Sequence, residues 1–515
     1  MSRFRTAASL AAGATMVATV MVSVAPSSTA AAPKAGDLDR FYHQRLDWKA
    51  CTLGPDDQVG KELDAAGARC ADVTVPLDYS KPDGRTIKVA ISRLKASGKA
   101  PRLGMMLLNG GGPGPALDMP PYMRQLMGPA GPRYDLVGMD PRSLGRSAGV
   151  DCGWNVGTWI KGAGPNRRSF RRAARFAKDL ADRCARTNRS VLPHISTRNI
   201  ARDMDVIRGA LGERMMSYNG ASYGTYLGAV YATMFPGRLD RVVLDSSVAP
   251  DIWGPRLIAP AVDANEEALA AWAGWAAEHD DKYGLGDSKA KVLKLVHHII
   301  AVSAKRPLEI GQYRLDATLV PVFLLDNIST DEEPARAALA ESVRLMREAA
   351  AGRPVQPSPD LAAELEFLTA ATREDGAGGS GQAAIICGDV AAPRDPAVYW
   401  RDVQKHRAEA PIFGAVGYDI GPCAYWPTRP VEPPTKINID LPALMVAATG
   451  DTRTTYESNK TLHGLLHGSK MITLDAYVHA PYQRGYPNNC ILDRVNDYLV
   501  TGRLPADDLT CAPEM

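Results

Sequence analysis

The chain has 515 residues, 45% of them apolar, which is enough for a sizeable core and long enough for one α/β core carrying a large insertion. A formal net charge of +3 selects neither nucleic acid nor an acidic surface as partner, and no basic stripe interleaved with aromatics argues otherwise.

In chain order, the first feature is a targeting segment. Arg3 and Arg5 are followed by an uncharged, Ala-rich apolar run over 7–24, and Ser27 to Ala32 offers small residues for a signal peptidase, with cleavage expected after Ala30 or Ala32. Residues 1–32 are therefore read as a signal peptide, and the mature protein as secreted, extracellular and free of the membrane. No other stretch reaches the roughly 18 apolar residues that span a bilayer. The eight cysteines form no C-x-x-C pair, and in an exported chain an even count points to disulfides. Sequence alone allows about 105 pairings; the expectation is that neighbours join (51–70, 152–184, 387–423, 490–511).

Residues 38–81 read as irregular and polar. Residues 86–94 alternate like a strand, 103–108 form a short apolar run leading into Asn109-Gly-Gly-Gly-Pro-Gly114, and 134–139 form another, ending in a turn from Asp140 to Ser147 in which Asp140 and Arg142 are expected to pair. A basic helix over 169–185 and an amphipathic helix over 199–211 precede a strand at 214–219, a helix at 225–235 and a strand at 239–244. Strands alternating with helices predict a mostly parallel sheet with right-handed crossovers and helices on both faces. After Pro250 the pattern turns helical, at 253–279, 289–304, 332–351 and 360–371, with a flexible Gly/Ser loop at 376–381. Strands return at 441–448 and 470–474, and 489–500 closes as a helix. The expected organisation is an α/β core over 38–250 and 436–515, with residues 251–435 as an inserted helical lid.

Gly220-Ala221-Ser222-Tyr223-Gly224 matches the G-x-S-x-G elbow, and its strand–turn–helix setting is the context that motif needs. An ordinary Gly-rich turn is the rival reading. A serine hydroxyl needs a base to take its proton and an acid to orient that base. The chain order Ser, acid, His leaves His463, His467 and His479 as candidate bases. His463 and His467 lie on a helix, four apart, and read as surface positions; His479 follows a strand and is the expected base. Asp451, at the end of the 441–450 segment, is the expected acid, with Asp245 as its rival. The Gly-rich loop supplies backbone N–H groups for an oxyanion from Gly111 or Gly112, with Tyr223 as second donor. A phosphate cradle is disfavoured, since no G-K-[ST] follows.

Together with Asp203 to Arg208, Ser222 to Ala232, Phe235 to Asp245, Gly111 to Gly114 and the stretch from Cys490 through Tyr498-Leu-Val-Thr-Gly-Arg-Leu-Pro505 to Cys511, these residues resemble the secreted actinobacterial tripeptidyl aminopeptidases, relatives of prolyl iminopeptidases. The resemblance implies an α/β-hydrolase with Ser222 as nucleophile, Asp451 as acid and His479 as base. It departs from the family where Thr452 follows the acid in place of proline. It also implies recognition of a free substrate amine, for which Asp389, Glu266 and Glu267 are the lid candidates; Trp272, Trp275 and Trp426 are weighed as groove walls and read better as core. The reading is a secreted, monomeric serine exopeptidase acting on peptides with a free N-terminus, without metal or organic cofactor. A secreted carboxylesterase with the same triad is the alternative, and a non-catalytic binding protein on the same fold is a third.

Overall fold

Three strands are buried at every position: β3 (Met105–Asn109), β5 (Met216–Ala221) and β7 (Leu444–Ala448). Strands covered on both faces belong to the centre of a parallel sheet. Alternation sends their side chains to opposite layers. Met105 and Leu107 join the core on one face, and Met106 and Leu108 the core on the other; Met445 and Ala447 separate from Leu444, Val446 and Ala448 in the same way.

The structure is a computed structural model that describes residues 38–154, 156–369 and 379–514. The expected signal peptide lies outside them. The remaining strands of the sheet are β1 (Arg69–Pro76), β2 (Thr86–Leu94), β4 (Asp135–Met139), β6 (Leu239–Asp245), β8 (Lys470–Leu474) and β9 (Leu509–Cys511). The nine strands lie in the order β1-β2-β4-β3-β5-β6-β7-β8-β9. Every pairing from β4 onward is parallel, and β2 is antiparallel to both its neighbours. Helices Thr197–Ala210 and Tyr223–Met234 supply Ile200, Met204, Leu227 and Val230 to one face; helix Asn489–Thr501 supplies Ile491, Val495 and Leu499 to the other. The α/β-hydrolase architecture expected from the sequence is the architecture observed.

Several boundaries differ. Residues 38–81 are not irregular: they contain the helices Asp39–Tyr42 and Gln58–Ala65 and edge strand β1. In β1, Ala71, Val73 and Val75 are buried while Asp72 and Thr74, on the other face, are exposed and half-buried respectively, the one-sided pattern of an edge pairing. The helix expected from residue 253 begins at Val262, because Pro255 and Pro260 deny it backbone donors. Half of the expected 376–381 loop, 376–378, falls outside the described residues, and Ser380 and Gly381 open a helix, Ser380–Asp389, that composition did not announce.

β6 and β7 are neighbours in the sheet, yet 198 residues separate Asp245 from Leu444. Much of that excursion has its own core. Helices Val262–Glu278, Lys289–Ser303, Val320–Asn327, Glu333–Ala350 and Pro359–Thr369 bury Leu269, Val296, Phe323, Leu339, Met346 and Leu365 against one another. Helix Ser380–Asp389 is different, because Ala383, Ile385 and Ile386 pack into the core of the sheet. The four cysteine pairs at disulfide distance are 51–70, 152–184, 387–423 and 490–511, all between sequence neighbours as expected. Loops of 19 to 36 residues closed this way each remove roughly 3–4 kcal/mol of unfolded-chain entropy.

Candidate active site

The last residue of β5, Ala221, delivers the chain directly to Ser222, which turns at φ 52°, ψ −124° before helix Tyr223–Met234 begins. A left-handed serine costs on the order of 1–3 kcal/mol and persists only where its surroundings fix it. Here Ser222 N donates to Asp245 O at 2.9 Å, and its carbonyl accepts from Thr225 N and Thr225 Oγ1. Close packing demands small neighbours: a Cβ on Gly224 would stand 2.8 Å from Asn109 Oδ1. Ser222 is thus half-buried at the carboxyl end of the sheet with its hydroxyl facing a cavity.

Three other strand ends converge there. After β7, Asp451 is 1% exposed, and its carboxylate accepts from Arg453 N at 2.7 Å, Thr454 N at 3.0 Å and Thr454 Oγ1 at 2.9 Å. After β8, His479 Nδ1 lies 2.9 and 3.0 Å from the two Asp451 oxygens. Burial alone pushes the Asp451 carboxyl up, but the His479 ring beside it and the hydrogen bonds it accepts prevail, holding it below the usual range. The adjacent buried carboxyl, Asp245 at the end of β6, behaves oppositely. Burial and the Asp451 charge push it up to about 8, against backbone hydrogen bonds from Gln483 N, at 2.7 Å, and from Tyr482. At neutral pH one acid of the pair is ionised and the other neutral. The His479 ring bonds Asp451 and not Asp245, the rival considered from sequence.

The loop carrying His479 is held from both sides. His479 N donates to Ser329 O at 3.0 Å, and Ala480, at φ 57°, donates to Ser246 Oγ at 2.8 Å. Ser222 Oγ is not hydrogen-bonded to His479 in this structure; such contacts are commonly long before substrate binds. His463 and His467 lie elsewhere, bonded to Ser469 and Asp508 and to Asn438.

The loop after β3 crosses the elbow at contact distance. A Cβ on Gly111 would stand 2.7 Å from Ser222 Cβ and 2.6 Å from Ala221 O. Gly111 N donates to Asn109 Oδ1 at 3.0 Å and is therefore engaged. The N–H groups of Gly112 and Tyr223 donate to no acceptor among the described residues. The turn after β4 braces this loop: Asp140 accepts from Ala116 N and Leu117 N at 3.0 Å and from Arg146 N at 2.8 Å. Arg142 does not pair with Asp140 as expected. It is fully buried and forks onto Asp203, which also accepts from Tyr79.

Ser222, His479, Gly111, Gly112 and Tyr223 line one cavity of about 570 Å³, within the range of small-ligand sites. Its apolar wall is Ile252, Trp253, Leu257, Ile258 and Leu325. None of the three acidic candidates for amine binding reaches it. Asp389 is turned away: it accepts from Thr197 N at 2.7 Å and Trp253 Nε1 at 2.9 Å, and burial pushes it up to about 6. Its place is behind the wall, fixing the Trp253 indole that stacks on Tyr226. Glu266 accepts from Ile412 N and Phe413 N inside the excursion, and Glu267 is exposed outside the cavity. Trp272 and Trp426 are core residues, and Trp275 donates to Glu333. The residues that sequence missed are Trp253, Arg453, Gln483 and Arg484; of these only Trp253, four residues after the turn into the excursion, stood out chemically.

A family model described as alpha/beta hydrolase fold matches residues 104–281, and one described as TAP-like protein matches 410–511. The chain is similar to a tripeptidyl aminopeptidase of Streptomyces lividans, 35% identical over 91% of this chain and 87% of that one. It is similar to the serine protease Hip1 of Mycobacterium tuberculosis, 27% identical over 98% of this chain and 96% of that one. A carboxylesterase B of Mycobacterium tuberculosis is 29% identical, covering 90% of each chain.

Proposed function

Since the chain belongs to the tripeptidyl aminopeptidase family of α/β-hydrolase serine peptidases, we propose that it is a secreted exopeptidase that removes short peptides, tripeptides foremost, from free N-termini through a Ser222–His479–Asp451 triad. The observation that carries this reading is the Asp451–His479 pair at 2.9 Å, its histidine in one cavity wall with a strained Ser222.

In the mechanism, Ser222 Oγ attacks the scissile carbonyl while His479 Nε2 takes its proton. Asp451 holds the ring by Nδ1 and stabilises the imidazolium that forms. The N–H groups of Gly112 and Tyr223, free of internal acceptors, receive the oxyanion; Gly111 shapes the loop while its own N–H serves Asn109. His479 then protonates the leaving amine, and water, activated by the same base, releases the acyl-peptide. No step calls for a metal or an organic cofactor. Residues 251–435 act as the lid that confines entry to chain ends, with Trp253 and Leu325 as its inner wall. Among the described residues no helix is long and apolar enough to cross a membrane.

The test is hydrolysis of mono-, di- and tripeptide anilides with free and acetylated N-termini. The reading expects cleavage of free tripeptide anilides, at least tenfold above the acetylated ones. Ester cleavage with no anilide turnover would replace it with the carboxylesterase reading, which the 29% identical relative favours.

A further inference from the structure

The wall of the Ser222 cavity carries two guanidinium groups, Arg453 and Arg484, and no aspartate or glutamate among its described residues. Arg453 stands two residues after Asp451 with its side chain only 24% exposed. Its guanidinium is met by neutral oxygens, Asn265 Oδ1 at 3.3 Å and the carbonyls of Leu325 and Thr452, while the nearest paired carboxylate oxygen, Asp326 Oδ1, is 3.7 Å away. A partly desolvated guanidinium prefers a fork-shaped anionic partner to single carbonyls. Arg484, four residues after Ala480, is exposed, and while its backbone N donates to Ala480 O at 3.0 Å, its guanidinium donates to no acceptor among the described residues. Its charge and that of Arg453 act on each other across the cavity. Asp326 and Asp451 oppose the Arg453 charge, Asp451 while also serving His479 and Thr454, and the Arg484 guanidinium makes no ion pair among the described residues. Two like charges facing one cavity repel, and an anion seated between them relieves both.

We propose that Arg453 and Arg484 form a carboxylate subsite, so that the preferred substrates are short peptides bringing a carboxylate into the Ser222 cavity. The carboxylate is either the C-terminus of an oligopeptide or an acidic side chain. This rests on the proposed function only in taking the cavity as the place where peptides bind. It makes the enzyme a consumer of peptides already shortened by other proteolysis, or of acidic sequences, and not of long neutral chains.

Binding to the Ser222→Ala protein, measured by calorimetry, separates this claim from catalysis. One arm compares tetra-alanine with its C-terminal amide. The other compares Ala-Ala-Ala-Glu-amide with Ala-Ala-Ala-Gln-amide. The subsite predicts at least tenfold tighter binding of the acid in one arm, and loss of most of that preference when Arg484→Gln or Arg453→Lys is added. The responding arm identifies the source of the carboxylate. Equal affinities in both arms, no measurable binding of any of the four peptides, or a preference untouched by both arginine variants, would overturn the proposal. Turnover of neutral tripeptide anilides by the unmodified protein reads the peptidase reaction separately.

Discussion

The ends of the parallel strands and the excursion between β6 and β7 are built on different principles. At the strand ends every candidate side chain sits at the last residue of a strand or within five residues beyond it: Ser222 after β5, Asp245 at the end of β6, Asp451 after β7 and His479 after β8. Their positions follow from backbone register, and buried hydrogen bonds lock them. Much of the excursion packs on itself, and it meets the platform through contacts that include Ser329 to His479, Leu325 to Arg453, Asn265 to Thr452, Asp331 to Tyr477 and Asp389 to Thr197. The Cys387–Cys423 bridge ties its last third to the core that helix Ser380–Asp389 shares with the sheet. The sheet therefore places the proposed triad, and the excursion supplies part of the wall of the cavity beside it.

That contrast can be broken by comparing the two buried acids. Asp451→Asn is expected to lower kcat by about 10⁴-fold, because the amide selects the wrong His479 tautomer. Asp245→Asn is expected to change kcat by less than about tenfold, since an amide oxygen can still accept from Gln483 N and the group is neutral already. Steady-state kinetics on one anilide checks both; a larger loss at Asp245 would reverse the assignment. Next in size is Gly111→Ala. Its Cβ would collide with Ser222 Cβ, so a loss of about 10²–10³-fold in kcat is expected, as for an oxyanion site pushed out of place.

Smaller effects belong to stability. Opening the Cys387–Cys423 bridge by Cys→Ser changes should cost about 2–5 kcal/mol in chemical denaturation. Asp245 supplies a pH signature. Its folded pKa, about 8, lies above its unfolded value near 3.8, so its contribution to stability is fully present below pH 4 and is lost as pH rises toward 8. Asp245→Asn removes that loss, and the melting temperature of the variant relative to the original should rise steadily between pH 5 and pH 8. A flat difference would mean that Asp245 is ionised in the folded protein. The smallest effect is expected from Asp389→Asn, which leaves Trp253 a weaker acceptor and should move KM more than kcat.

The platform was legible because its signals are local. G-x-S-x-G, a Gly-rich loop after an apolar run, and an acid and a histidine after successive strands each declare themselves within about ten residues, and the sheet brings strand ends together whatever lies between. β1 escaped because an edge strand that opens on Arg69 and carries Asp72 and Thr74 on its outer face resembles a polar loop. Arg142 was misassigned because its partner, Asp203, is 61 residues away in sequence, whereas Asp140 is adjacent. The acidic lid candidates failed for the same reason. Asp389 looked available beside Cys387, but Thr197 and Trp253, on distant segments, already hold it. Arg453 and Arg484 went unnoticed because nothing local distinguishes a cavity arginine from a surface one.

The central claim is that Ser222 is the residue made nucleophilic by the His479–Asp451 pair. Labelling the mature protein with a fluorophosphonate, followed by mass-spectrometric mapping of the adduct, tests it most directly. The account predicts a single stoichiometric adduct on the peptide containing Ser222, lost in His479→Ala as well as in Ser222→Ala. An unlabelled protein, or an adduct on any other serine, would contradict it.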